Sequence, residues 1–202
     1  MSRRPGPQVY LARHGQTAYN LEGRFQGQQP VPLDDVGRAQ ARELAQRAAL
    51  CDFATLWSSP LLRALETARI VGEHIGLAPR EDARLMETDA GDWTDLSFAE
   101  VRAHAPELFD RFVSVDPSFA FPGGESFAEQ DVRVAAAIAD VEQGPLPALV
   151  VCHGMVIRAA LSTRPGYPIE RVRRVANGAL VPLDPDAPEL AELGGDAATL
   201  AS

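Results

Sequence analysis

The stretch VYLARHGQTAYN, Val9 to Asn20, decides the fold. Val9 to Ala12 is a short apolar run of the kind a buried strand needs, and it stops abruptly at Arg13, His14 and Gly15. A second stretch, ALVVCHGMVIRAAL, Ala148 to Leu161, repeats the design: an apolar run, then His153-Gly154, then apolar residues at helical spacing. Apolar runs without polar alternation are typical of parallel strands covered on both faces. In an open sheet of such strands, ligands bind beyond the carboxyl ends, where the strand order reverses. Two strands that both end in His-Gly therefore point to one shared site.

Working outward, further strand-like runs occur at Phe53 to Ser58 and Gly178 to Leu183, with a weaker one at Asp82 to Leu85. Helical spacing fills the gaps. Leu33, Val36, Gln40, Leu44 and Ala48 fall three or four apart, as do Leu61, Leu65, Ala68, Val71 and Ile75, each set giving one face for a core. Strands alternating with helices predict an α/β fold of three layers, αβα, around a mostly parallel central sheet. Ser59-Pro60 reads as a helix start with proline at the first position. SFAE occurs twice, at Ser97 to Glu100 and Ser126 to Glu129, as a capping box.

A chain of 202 residues suits one domain of this class, in which roughly 70% of the unfolded surface is buried. We assign residues 1–184 to a single domain. Within it, 105–125 carries Phe109, Phe112, Phe119 and Phe121 ahead of Gly123-Gly124, and predicts a helix followed by a loop that covers the substrate. Residues 185–202, with Pro188 and Gly194-Gly195 and no arginine, predict a flexible tail.

A net charge of −9 disfavours nucleic acid and anionic membrane as partners, because both require a basic field. No apolar run approaches the roughly 20 residues of a membrane span. Only four apolar residues follow the amino-terminal MSRRPGP, too few for a signal peptide, so a cytoplasmic location is expected. Cys51 and Cys152 are too few for a disulfide framework and lack the spacing of a zinc site. All 19 basic residues are arginine. The absence of lysine removes Schiff-base chemistry and the P-loop lysine, and leaves guanidinium groups, which match the two-point geometry of phosphate.

Three strand ends carry the chemistry: Arg13-His14, Ser58 with Arg63 in the helix that follows, and His153. If the strands are neighbours, two arginines and a helix amino terminus converge on an anion, and Gly15 and Gly154 let backbone approach closely. A histidine beside two arginines has its protonated form disfavoured, and a neutral imidazole is a nucleophile. An acid is still needed for the leaving alkoxide. LMETDAGDW supplies Glu87, with Asp89 and Asp92 as weaker alternatives.

These elements resemble the histidine phosphatase superfamily, the phosphoglycerate mutase-like group, over most of the chain. The similar motifs are LARHGQTAYN, RFQGQ with a following PL, SSPLLRALETA, LMETDAGDW, PGGES and VCHGMVIRAAL, in the family's order. The resemblance implies a phosphoglycerate mutase-like fold, with His14 as phosphorylated nucleophile, Arg13, Arg63 and His153 as phosphate pocket, and Glu87 as proton donor. It also implies that Asn20, Gln26, Gly27 and Gly154 face the substrate, a small-molecule phosphate monoester. The reaction it implies has two steps and needs no metal or other cofactor. A homodimer is left open. Two departures from the family pattern bear on substrate preference: QQPVPL has no Asp before PL, and Thr94-Asp95 follows Trp93 where Glu-Gly is usual. The chain looks like the short members, which favours hydrolysis over mutase activity.

Other chemistries compete for the same residues. Cys152 and Arg158 have the C-x5-R spacing of cysteine-dependent phosphatases. His14, His153 and Glu87 could be a two-histidine, one-carboxylate iron site, although two guanidinium groups repel a cation. A silent module that only binds phosphorylated metabolites is a third option. Glu125 and Ser126 could touch substrate, Trp93 and the phenylalanines could be wall or core, and His74 and His104 receive no role.

Overall fold

The computed structural model describes residues 8–162, 164, 166, 167 and 175–185. The amino-terminal MSRRPGP and all of the expected tail beyond 185 lie outside the described residues.

Five strands form one mixed sheet in the order β3-β2-β4-β1-β5. They are β1 (Val9–Arg13), β2 (Thr55–Ser58), β3 (Pro79–Glu81), β4 (Ala148–Cys152) and β5 (Leu180–Pro182). β5 runs antiparallel to β1, and the other pairings are parallel. Seven α-helices surround the sheet among the described residues: α1 (Ala18–Glu22), α2 (Asp35–Ala48), α3 (Leu62–Ile75), α4 (Phe98–His104), α5 (Pro106–Val113), α6 (Phe127–Gln143) and α7 (Gly154–Ser162).

Side chains alternate across the sheet. Val9, Leu11, Ala148, Val150 and Cys152 point into a core closed by α6 and α7. Tyr10, Ala12, Leu56, Leu149 and Val151 point into the opposite core, closed by α2 and α3. This is the expected α/β sandwich with a mostly parallel sheet.

Where expectation and structure differ, local chemistry explains the difference. Asp82 to Leu85 is not a strand: Asp82 accepts a hydrogen bond from the Arg84 amide at 2.8 Å and caps a 3-10 turn, which drops Leu85 into the core. The edge strand is instead β3, whose first residue is Pro79 and whose Arg80 and Glu81 are exposed, so no apolar pattern announced it. Helix α3 begins at Leu62 rather than at Pro60. The buried face of α2 is made by Gly37, Ala41, Leu44, Ala45 and Ala48, while Val36 is exposed. Small residues there bring the helix backbone close to the loop after β1.

Under α4 and α5 lies a third core, the aromatic cluster of Phe25, Trp93, Phe109, Phe119, Phe121 and Phe127, with Phe112 packed against it. Phe119 is fully buried, and its ring centroid lies 4.8 Å from that of Phe127 and 4.9 Å from that of Phe121. Trp93 and the phenylalanines of 105–125 are thus mostly core packing.

Candidate active site

β4 sits between β1 and β2, with Arg13 opposite Cys152 and Ser58 opposite Val151. The residues that follow these strand ends therefore emerge side by side. The His14 amide donates to the Cys152 carbonyl and the Ser59 amide to the Val151 carbonyl, each at 3.0 Å. This is the carboxyl edge of the sheet, where β4 inserts between β1 and β2 and the strand order reverses.

His14 and His153 are both buried, with ring centroids 5.2 Å apart. His14 Nδ1 lies 2.7 Å from the Gly15 carbonyl, which can only accept, so the ring proton sits on Nδ1 and the lone pair on Nε2. Arg63 Nε donates to that Nε2 at 3.3 Å. Burial first, then the charges of Arg63 and Arg13, hold the His14 pKa well below 6.5; the Gly15 hydrogen bond opposes them. His153 is held well below 6.5 in the same way, by burial first and then by Arg63, His14, Arg13 and Arg133. Both imidazoles are neutral near pH 7.

Arg63 is 1% exposed and carries its charge at a cost, so burial pushes its pKa down to about 10 while the Glu87 carboxylate opposes the shift. Its other nitrogens donate to the Gln29 carbonyl at 3.1 Å and the Gly27 carbonyl at 2.9 Å, which hold the guanidinium facing His14. Arg13 Nη1 donates to the Val175 carbonyl at 2.6 Å, and burial lowers its pKa as well. Arg13 Nε and His153 Nδ1 are buried with no protein partner among the described residues. Glu87 Oε2 accepts weakly from the Met155 amide at the start of α7, at 3.5 Å, and its carboxylate is close enough to act on both Arg13 and Arg63.

The remaining sequence candidates are more structural in character. Asn20 Oδ1 accepts from the Thr17 amide at 3.2 Å and completes a capping box at the start of α1. Gln26 is buried and accepts from Thr17 Oγ1 at 3.0 Å, and Gly27 contributes its carbonyl to Arg63. Gly15 is required by fold rather than by ligand approach: a Cβ there would run into the Gly37 carbonyl of α2. At Gly154 a Cβ would reach only ordinary contact, 3.6 Å from Arg13 Nε. Glu125 pairs with Arg133 at 2.5 Å, and Ser126 caps α6. His74 and His104 are exposed.

Three site residues escaped the sequence. Ser59 Oγ lies 2.8 Å from His153 Nε2 and also accepts from the Leu61 amide, so the residue read only as a helix cap also holds a site histidine. Thr67 Oγ1 accepts from the Gly15 amide at 3.1 Å; its position one turn after Arg63 was the available signal. Asn177 donates to the His14 carbonyl at 3.0 Å and to Asn20 Oδ1 at 3.2 Å, and nothing in its flanking sequence announces that.

The rival chemistries fit this geometry poorly. Cys152 is buried in the core beneath the sheet, and burial pushes its thiol far above the usual range, away from a reactive thiolate. Arg158 lies inside α7 with its guanidinium 4.2 Å over the Phe127 ring. Among the described residues no three His, Cys, Asp or Glu side chains are grouped to hold a metal ion, and no helix is long and apolar enough to cross a membrane.

The chain is similar to known proteins over most of its length. The family profile of the histidine phosphatase superfamily, branch 1, matches residues 9–191. The chain is 36% identical to a probable phosphoglycerate mutase, GpmB, of Enterobacter sp. (strain 638), covering 94% of this chain and 93% of the relative. Among solved structures, a mycobacterial glucosyl-3-phosphoglycerate phosphatase superposes with a TM-score of 0.74 at 32% identity, covering 87% of this chain and 89% of that one. A phosphoglycerate mutase from Thermus thermophilus does so with a TM-score of 0.69 at 31% identity, covering 87% and 91%.

Proposed function

The chain belongs to branch 1 of the histidine phosphatase superfamily, and from that premise we propose that it hydrolyses small phosphate monoesters through a phosphohistidine on His14. The single observation that carries this is the tautomer of His14: its Nδ1 proton is committed to the Gly15 carbonyl, which leaves the Nε2 lone pair beside Arg63. In the first step Nε2 attacks phosphorus, the N–P bond forms and the P–O ester bond breaks. The leaving alkoxide takes a proton from Glu87. In the second step Glu87, now a carboxylate, accepts a proton from water as the water oxygen attacks phosphorus. The N–P bond breaks, inorganic phosphate departs, and His14 is again neutral.

Arg13 and Arg63 hold the phosphoryl oxygens and offset the negative charge of the transition state. Arg13 Nε and the Nδ1 proton of His153 supply the donors that the protein leaves unpaired. Ser59 Oγ lies 2.8 Å from His153 Nε2, and with the hydroxyl donating there the Nδ1 proton of His153 is the one turned to the phosphoryl group. None of these steps calls for a metal ion.

Incubation with p-nitrophenyl phosphate and quenching in alkali is expected to trap an acid-labile phosphoenzyme and release inorganic phosphate, with His14→Ala giving neither. A His14→Ala enzyme that still turns over, or label on cysteine, overturns the assignment. Mutase-type transfer is the second reading, because relatives that the chain matches over more than nine-tenths of their length carry the phosphoglycerate mutase name. It predicts interconversion of 2- and 3-phosphoglycerate faster than phosphate release. Phosphoglycerates and their sugar conjugates head the substrate panel, given the mycobacterial phosphatase of the same fold.

A further inference from the structure

Glu87 sits in an irregular segment, between the 3-10 turn over Ala83–Leu85 and another over Gly91–Trp93. Such a segment has no ladder of its own to set a side chain to within the fraction of an ångström that proton transfer needs. Beyond the Gln28 side chain, which donates to the Glu87 carbonyl at 3.2 Å, and the weak Met155 contact, two residues outside it supply a closer hold. Arg133, on α6, donates through Nη1 to the carbonyls of Arg84 and Met86, both at 2.7 Å. The rest of its guanidinium grips Glu125 in a two-point pair, Nε to Oε1 at 2.5 Å and Nη2 to Oε2 at 2.7 Å. Glu125 in turn pairs its backbone amide with the Asp89 carbonyl at 3.0 Å and its Oε2 with the Asp89 amide at 3.4 Å. Backbone contact reinforces the joint, since a Cβ on Gly124 would collide with the same Asp89 carbonyl. Bonds thus bracket Glu87 on both sides, at 84 and 86 from Arg133 and at 89 from Glu125.

We propose that the Arg133–Glu125 pair is a positioning device for the proton donor, holding the 84–89 segment so that the Glu87 carboxyl faces the leaving oxygen. The inference rests on the proposed role of Glu87. Both side chains are largely buried, at 20% and 14% exposure, so the pair is shielded from solvent screening. Arginine suits the task because its planar fork serves a carboxylate and two carbonyls at once, which the single ammonium of lysine cannot reproduce.

Protonation of the leaving group separates positioning from bulk stability. The glycerol of glycerol 2-phosphate leaves as an alkoxide and needs the proton, whereas the p-nitrophenolate leaving from p-nitrophenyl phosphate needs it far less. Glu87→Gln is expected to lower kcat/KM, which reports the phosphoryl-transfer step and not the shared hydrolysis of the phosphohistidine, by roughly a hundredfold or more for glycerol 2-phosphate and much less for p-nitrophenyl phosphate. Arg133→Lys is expected to raise the ratio of kcat/KM for p-nitrophenyl phosphate to that for glycerol 2-phosphate about tenfold, with the inhibition constant of vanadate little altered. In the Glu87→Gln background, Arg133→Lys should add no further selectivity. If Arg133→Lys does not fold, Glu125→Gln carries the same comparison. A variant that slows both substrates equally, or neither, while Glu87→Gln discriminates, sinks this inference alone. A Glu87→Gln enzyme that does not discriminate sinks the proton-donor role and the inference together.

Discussion

The imidazole rings of His14 and His153, one from the end of β1 and the other from the end of β4, lie 5.2 Å apart between centroids and are tilted by 58°. Their proximity follows from strand register: Arg13 is opposite Cys152, so the next residue of each chain segment is forced to the same edge. Burial and the two guanidinium groups then keep both rings uncharged.

Stability is expected to fall as the pH drops below 6.5. Both histidines have folded pKa values depressed beneath the unfolded value of 6.5, so below that value the unfolded chain binds more protons than the folded one. Stability therefore rises with pH up to about 6.5 and levels off above it. Urea midpoints between about pH 5 and 7.5 would show the slope, and His153→Gln should flatten it. A midpoint constant across that range contradicts the buried neutral pair.

The rate should show the same depression from the enzyme's side. If His14 must be neutral to attack, the acid limb of kcat/KM lies well below pH 6.5, since that limb reports the free enzyme. Arg63→Gln removes the largest of the neighbouring charges that depress His14 after burial itself. Its residual activity should have an acid limb displaced upward, towards 6.5.

Gly15→Ala and Gly154→Ala should separate two glycines that look alike in sequence. At Gly15 the added methyl meets backbone of α2 that cannot move cheaply, and a loss of about 1–3 kcal/mol or more is expected from overpacking. At Gly154 the methyl makes ordinary contact, and the change should be within ~0.5 kcal/mol. Thermal denaturation of the two variants decides it; equal losses would contradict the close approach of the loop to α2.

Phe119→Ala tests whether the phenylalanine-rich segment acts as core. Phe119 is fully buried among four other aromatic rings within 6 Å between centroids, and its truncation should cost about 3–5 kcal/mol. The KM for p-nitrophenyl phosphate should change little in the protein that remains folded. A large KM effect without loss of stability would make the ring a substrate contact.

The main strands were legible because burial on both faces demands unbroken apolar runs, which Val9 to Ala12 and Ala148 to Val151 supply. The histidines and arginines were legible because neutral-nucleophile phosphoryl chemistry leaves few residue types to choose from at a strand end. The edge strand β3 was not, since Pro79, Arg80 and Glu81 face solvent and need no apolar signature. Nor was the start of α3, where Ser59 serves His153 as well as the turn.

From sequence alone came the layers, the mostly parallel sheet and the cluster His14, Arg13, Arg63, His153 and Glu87, because periodicity and side-chain chemistry are local properties. Only the tertiary structure decided that the Nδ1 proton of His14 goes to Gly15, that Ser59, Thr67 and Asn177 hold the site, and that Arg133 reaches back to the segment carrying Glu87. Apart from the His14–Gly15 bond, which is between neighbours but is set by the ring rotamer the packed site imposes, those are hydrogen bonds between residues far apart in the chain, and their partners are chosen by how strands register and helices pack, which no short stretch encodes.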